Sequence, residues 1–361
     1  MNIQFQIHPS SHGKSEAERA DILANPGFGR YFTDHMVAID WDTDRDWHNA
    51  QVRPYGPLSL DPASAVLHYA QEIFEGLKAF RHADGSVWSF RPEANGQRLQ
   101  RSARRLALPE LPVDTFVDSI RELVKVDAAW VPSGGESSLY LRPFMIANEN
   151  FLGVRAAQKV AYYVIASPVG AYFKGGVKPV AIWLTRDYSR AGHGGTGAAK
   201  CGGNYASSLI AQKEAAANGC SQVLFLDSRE MRYLEELGGM NVFLVQKDGS
   251  VITPELSGSI LEGITRLSVI QLLRDRGISV TERKIEVSEW IDGMASGQIT
   301  ETFACGTAAS ISPIGQLKGK DFSVGDIDAP VGELTMSIRA ELLDIQYGRT
   351  PDRHGWLTRL V

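Results

Sequence analysis

Near the middle of the chain, residues 168–179 (PVGAYFKGGVKP) carry two prolines and three glycines. Proline lacks a backbone donor and glycine loses the most freedom on ordering, so such a stretch marks a boundary between folded units. Read as an interdomain linker over residues 168–180, it divides a chain of 361 residues, which is too long for one ordinary core. The expected organisation is a small N-terminal α+β domain (1–167) and a larger C-terminal domain (181–361).

The pattern of apolar and turn-forming residues fills in both halves. The first twenty-odd residues read as a polar arm. Residues 36–39 predict a strand and 64–71 a short helix. Strands at 77–80 and 87–90 are joined by the turn Ala83-Asp84-Gly85. Two amphipathic helices follow, at 95–106 and 114–130, the second with Asp114 as its N-cap. Strands at 137–146 and 159–167 complete this half. The second half reads as strands at 180–185, 222–227, 241–246 and 299–304. Its helices are expected at 204–218, 264–276, 288–295 and 332–347. Strands and helices come in runs in the first half and mix in the second, so the class is α+β passing into α/β.

Charge narrows the function. The 37 basic and 42 acidic side chains give a formal charge of -5, and the basic ones are scattered, which does not suit a polyanionic partner such as nucleic acid. No apolar run approaches the roughly 20 residues of a membrane span. The polar residues 1–14 lack the core of a signal peptide. Cys201, Cys220 and Cys305 are too widely spaced for a C-x-x-C or zinc motif, which points to a reducing cytoplasm and no metal.

The chemistry concentrates in Arg190-Ala-Gly-His-Gly-Gly-Thr-Gly-Ala-Ala-Lys-Cys-Gly-Gly-Asn-Tyr205, where six of sixteen residues are glycine and the single lysine is Lys200. Three readings stand side by side. It can be a surface loop with a solvated lysine. It can be a phosphate cradle, since Gly192-x-Gly194-x-x-Gly197 matches G-x-G-x-x-G, although no helix opens at once. It can hold an amine nucleophile, a lysine kept near glycine backbone and away from counter-charges. A Walker A loop is excluded because alanine precedes Lys200 and cysteine follows it.

Motifs spread along the chain resemble those of the branched-chain amino acid aminotransferases, a fold-type IV family dependent on pyridoxal 5'-phosphate. They are Phe74-Glu-Gly-Leu-Lys-Ala-Phe80, Leu139-Tyr-Leu-Arg-Pro143, Pro168-Val-Gly-Ala-Tyr-Phe173, Lys200-Cys-Gly-Gly-Asn-Tyr205, Glu235-Glu-Leu-Gly-Gly-Met-Asn241 and Cys305-Gly-Thr-Ala308. The resemblance implies the two-domain D-amino acid aminotransferase-like fold. It makes Lys200 the lysine that condenses with the cofactor and shuttles the Cα proton. Glu236, immediately before Leu-Gly-Gly-Met-Asn, is then the carboxylate facing the pyridine nitrogen, in preference to its neighbour Glu235. Tyr205 faces the phenolic oxygen. Arg98 and the helix opening at Gly263, Ile264 and Thr265 hold the phosphate, with Thr307 also on the cofactor; a helix start binds anions through its backbone donors.

On the substrate side the resemblance selects Phe28, Tyr69, Phe74, Tyr140, Arg142, Tyr172 and Gly239. Such a pocket must take an apolar side chain and the second carboxylate of glutamate in turn, and tyrosines offer both a ring face and a hydroxyl. Thr307 and Ala308 would give backbone donors to the substrate α-carboxylate. Two features depart from some members: Ala309-Ser-Ile-Ser312 stands where those carry a C-x-x-C pair, and Gly239 where they carry threonine. The implied activity is ping-pong transamination between leucine, isoleucine or valine and 2-oxoglutarate, by a homodimer. Alternatives are a D-amino acid or amine transaminase, an aminodeoxychorismate lyase, a nucleotide-dependent oxidoreductase on the Gly192–Gly197 loop, and a non-catalytic binding protein.

Overall fold

The computed structural model describes residues 3–171 and 176–361. It contains two compact units. The first takes Met1–Tyr172, Ala199–Gly202 and Asp344–Val361; the second takes Phe173–Ala198 and Gly203–Leu343. Two pieces that the sequence assigned to the second domain therefore cluster with the first. Ala199–Gly202 is drawn there by burial of Ala199 and Cys201 in its core. The C-terminus is drawn there because Leu357–Arg359 adds an antiparallel strand beside Val87–Phe90.

Among the described residues the first unit holds one sheet. Its order is Gln6–Ile7, Asp46–Pro54, His35–Asp42, Lys159–Val169, Ser138–Ala147, Leu77–Arg81, Val87–Phe90 and Leu357–Arg359, with the short strand Glu72–Phe74 also on Ser138–Ala147. One face is the core. Ile73, Leu77, Leu139, Leu141 and Met145 pack there against Leu99 and Ala103 of the helix Pro92–Arg105. Phe116, Val117, Ile120, Leu123 and Val124 of Val113–Val126 join them, at the spacing that gathers one helical stripe. Successive strand residues face opposite ways, so Glu72 and Phe74 share the other face with Tyr140, Arg142 and Phe144, and all five are half-buried. That face carries three of the candidate site residues, Phe74, Tyr140 and Arg142.

The expected elements of this unit form, with adjusted ends. Pro112, not Asp114, occupies the N-cap of the second helix; Asp114 lies in its first turn, where a carboxylate still meets the positive helix end. The polar arm contains the helix Glu16–Ala24, closed by a reciprocal Ser15–Glu18 capping box and burying none of its residues. The strand Lys159–Val169 runs two residues into the expected linker, and Pro168 stands opposite Leu139 in its ladder.

The second unit has a mixed sheet, ordered Leu234–Leu237, Gln222–Leu226, Val180–Leu184, Ser310–Lys318, Ile299–Gly306, Asn241–Gln246, Val251–Pro254 and Val280–Arg283, with Ser323–Gly325 on Ser310–Lys318. Val180–Leu184 is parallel to both its neighbours, whereas Asn241–Gln246, Ile299–Gly306 and Ser310–Lys318 form an antiparallel run. The helices Gly202–Ala217, Ile264–Asp275, Val287–Ser296 and Glu333–Gln346 begin and end within two residues of expectation. The architecture is the mixed α and β, two-unit class read from the sequence.

Candidate active site

In the first unit, three backbone contacts fix the residues around Lys200. Its N–H donates to Ser102 Oγ at 2.9 Å, and its carbonyl accepts the N–H of Phe74 at 2.9 Å. The N–H of Gly202 donates to the Glu72 carboxylate. Ala199 and Cys201, on either side, are buried. The main chain is thus held to one strand and one helix, and the Lys200 ammonium lies 4.7 Å from the centroid of the Phe74 ring. Of the three readings of the glycine-rich segment, a solvated surface lysine does not fit this setting.

The same ring carries Arg142, whose guanidinium is also 4.7 Å from the centroid. Arg142 donates to the Tyr140 hydroxyl at 3.0 Å and lies 5.4 Å from the Tyr140 ring. Its Nε is buried with no hydrogen-bond partner among the described residues. Tyr140 in turn packs on Phe28, with ring centroids 5.3 Å apart. Phe28, Tyr140, Arg142, Phe74 and Lys200 therefore form one chain of contacts. A Cβ at Gly76 would overlap the Tyr140 hydroxyl, so this glycine permits the approach. Tyr69 is engaged elsewhere: its hydroxyl donates to the carbonyl of Leu152. Tyr172 lies outside the described residues.

Arg98 is buried and bound as a fork to Glu75, through Nε at 2.7 Å and Nη2 at 2.8 Å. Glu75 is fully buried and also accepts from Asn95 at 2.7 Å. Burial pushes its carboxyl up, but the charge and hydrogen bonds of Arg98, with Lys200 and Asn95, outweigh that and leave it below the usual carboxylate range. A depressed folded pKa gives stability above the unfolded value near pH ~4.3, lost as pH falls through the folded pKa. Glu75 was not singled out from sequence, although it sits beside Phe74 in a quoted motif.

In the second unit, Glu236 is buried on Leu234–Leu237. It accepts the N–H of Leu261 at 2.8 Å and pairs with Arg190 Nη2 at 2.5 Å. Arg190, itself buried, also donates to the carbonyls of Gly197 (2.9 Å) and Ser259 (2.7 Å), so it ties the glycine-rich segment to the 257–261 loop. It too was missed; its only signal was its place at the head of that segment. Glu235 faces the opposite side of the strand and accepts from the Ser259 hydroxyl. Burial raises its carboxyl to about 6.

Three glycines bring the remaining candidates together. A Cβ on Gly239 would sit 4.0 Å from the Tyr205 ring, and one on Gly306 would meet Met240 and the Gly239 carbonyl. The turn with Thr307 and Ala308 therefore lies beside the 239–240 loop, as the pairing of Asn241 with Cys305 requires. Gly263 is the N-cap of Ile264–Asp275 and makes no side-chain cap bond, which leaves the Ile264 and Thr265 end of the helix to backbone donors. A Cβ there would overlap Asn241 Oδ1. The Cys305 thiol is buried and pushed up to about 12, so it is unreactive. The dinucleotide reading of Gly192–Gly197 loses support, because the next helix starts only at Gly202.

Residues 72–317 match the family described as Amino-transferase class IV. The chain is similar to the branched-chain-amino-acid aminotransferase of Mycolicibacterium smegmatis, 58% identical over 362 residues that cover 99% of this chain and 98% of the relative. It is 55% identical to that of Mycobacterium tuberculosis over 363 residues, covering 99% of both. Among solved structures, the Escherichia coli branched-chain amino acid aminotransferase superposes with a TM-score of 0.76 at 27% identity, over 91% of this chain and 99% of that one. The branched-chain amino acid aminotransferase of Thermobaculum terrenum in its PLP form gives 0.72 at 25% identity, over 90% of this chain and 98% of that one.

Proposed function

The chain belongs to the class IV aminotransferases, and from that premise we propose that it exchanges amino groups between branched-chain L-amino acids and 2-oxoglutarate by a ping-pong route. The observation that carries the reading is the pinned Lys200 beside Phe74 and Arg142, an amine nucleophile next to an aromatic and cationic surface. Pyridoxal 5'-phosphate, the cofactor of this family, supplies an aldehyde carbon for the amine and a protonated ring that takes up the electron pair released at Cα.

The residues present suit such a group. The uncapped start of Ile264–Asp275 offers donors to a phosphate, and Arg98, oriented by Glu75, adds guanidinium N–H donors. Glu236 is the buried carboxylate for a ring N–H, oriented by Leu261 and Arg190. Tyr205 offers a hydroxyl to a phenolic oxygen. Lys200 is the base that would take the proton from the substrate Cα. Thr307 and Ala308 present backbone N–H groups to the α-carboxylate. Phe28, Phe74 and Tyr140 receive an apolar side chain, while Arg142 receives a second carboxylate. Gly239 leaves the space beside Tyr205 open.

A transamination panel tests this directly. With 2-oxoglutarate as acceptor, leucine, isoleucine and valine are expected to turn over at least about 100-fold faster in kcat/KM than D-alanine or phenylethylamine, the scale at which site-specific contacts discriminate. Preference for D-alanine would move the protein to another branch of the fold-type IV enzymes.

The working form is proposed to be a homodimer in the cytoplasm. Leu67 and Tyr69 of the helix Ala65–Tyr69 are exposed, as are Phe151, Leu152 and Val154, and the two segments are joined by the Tyr69 hydroxyl on the Leu152 carbonyl and the Phe151 N–H on the Ala63 carbonyl. Exposed large apolar side chains on two joined segments suit burial against a second copy. Sedimentation giving only monomer would remove this part of the reading. No helix among the described residues is long and apolar enough to cross a membrane.

A further inference from the structure

We propose that Glu72 is a positioning residue that sets how Arg142 divides its preference between a substrate carboxylate and an apolar substrate side chain. The inference rests on the assignment of Arg142 to the substrate side and adds a second residue to it.

The placement comes from strand register. Glu72 and Phe74 lie two apart and so share a face. Their partners in the ladder are Ile146 and Phe144, which lie on the same face of Ser138–Ala147 as Arg142 and Tyr140. Arg142 rests on the Phe74 ring of that face. The Glu72 carboxylate therefore stands on the surface that carries the arginine, one alternate position along the strand from the ring under its guanidinium.

Their bonding is divided unevenly. Glu72 spends its hydrogen bond on the N–H of Gly202, two residues beyond Lys200, and a Cβ at Gly202 would collide with that carboxylate. Arg142 spends its one hydrogen bond among the described residues on the Tyr140 hydroxyl and keeps a buried Nε without a partner. The two do not close into an ion pair, yet they act on each other. Burial raises the Glu72 carboxyl, while the Gly202 N–H and the Arg142 charge pull against it.

The Nη donors of Arg142 that Tyr140 leaves over can donate to an incoming carboxylate. The same guanidinium facing a leucine side chain would be a desolvated charge held only by the Tyr140 hydroxyl and the two aromatic rings, which is costly. A fixed carboxylate on the same face, held off by its bond to Gly202, lessens that cost and equally weakens the pull on a dicarboxylate. Glu72 thus narrows the gap between the two substrate classes that one pocket must serve.

The test uses the holoenzyme and two unreactive probes, glutarate and 4-methylvalerate, whose dissociation constants are measured by calorimetry. In Glu72→Gln the amide oxygen still accepts from Gly202 while the charge is gone. The ratio of 4-methylvalerate to glutarate dissociation constants is expected to rise roughly tenfold, the scale of one charge–charge interaction at protein-like dielectric. In turnover, KM for glutamate should fall relative to KM for leucine. A purely structural cap predicts no change in the ratio, and an unchanged ratio overturns the proposal.

Two further variants close the remaining gaps. In an Arg142→Met background, Glu72→Gln should leave the probe ratio where it was; a persisting tenfold shift would mean that Glu72 acts elsewhere, which also overturns the proposal. If Glu72→Gln fails to fold, Glu72→Asp, which retracts the charge, should shift the ratio the same way by a smaller factor, and no shift there counts against it. Should the wild-type protein fail to transaminate leucine, the functional reading falls, while the probe ratio still decides the role of Glu72.

Discussion

Alanine at Lys200 is expected to lower turnover of leucine with 2-oxoglutarate by at least about 10⁴-fold, since it removes the group that both holds the cofactor and moves the Cα proton. The fold should survive. What anchors this stretch is main chain and neighbours: the Lys200 N–H on Ser102, its carbonyl on Phe74, and the buried Ala199 and Cys201. None of these involves the ε-amine. The variant should therefore show an unaltered far-ultraviolet circular dichroism spectrum and retain some cofactor through the phosphate and ring contacts. Rates near wild type in Lys200→Ala would reassign the chemistry to another residue.

The second large effect is expected at Glu236, and its neighbour supplies the control. Glu236→Gln should slow the chemical step by about 10²–10³-fold, because an amide cannot keep a ring nitrogen protonated as a carboxylate does. Glu235→Gln should change it less than about threefold, since alternate strand residues face opposite ways and Glu235 is spent on Ser259. Stability should separate the two as well. Burial raises the Glu235 carboxyl to about 6. A raised carboxyl loses stability as pH climbs from its unfolded value to that point, and the loss persists above it. Glu235→Gln should then be at least as stable as wild type at pH 8. Single-turnover absorbance traces and thermal melts read both expectations, and equal slowing in the two variants would undo the choice of Glu236.

Much of this was legible in the chain itself. Helices lay close to where their periodicity put them: Ile264–Asp275 ends one residue short of expectation, and Val113–Val126, with its clear apolar stripe, ends four short. Strands with weak alternation were not seen. Val280–Arg283 (VTER) is mostly exposed, Ser310–Lys318 holds a proline, and Leu357–Arg359 is three residues long; each is a strand because a neighbour offers a free ladder edge. The same limit applies to the site. Lys200, Phe74, Arg142 and Glu236 stand in dense motifs and could be named. Glu75, Arg190 and Glu72 act through partners 23, 46 and 130 positions away, and such pairings exist only once the sheet registers are set.

Glycines were informative for a related reason. Gly76, Gly202, Gly263 and Gly306 each stand where a Cβ would meet a side chain of the candidate site or its supports. Their number is visible in the sequence, but which atom each one accommodates is a property of the fold.

The most direct measurement is reduction of the purified, cofactor-loaded protein with borohydride, followed by proteolysis and mass mapping. The account predicts loss of the visible absorbance and one phosphopyridoxyl mass addition, on the peptide carrying Lys200 and at that residue. A protein that stays unlabelled, or a label fixed on another lysine such as Lys213, would contradict it.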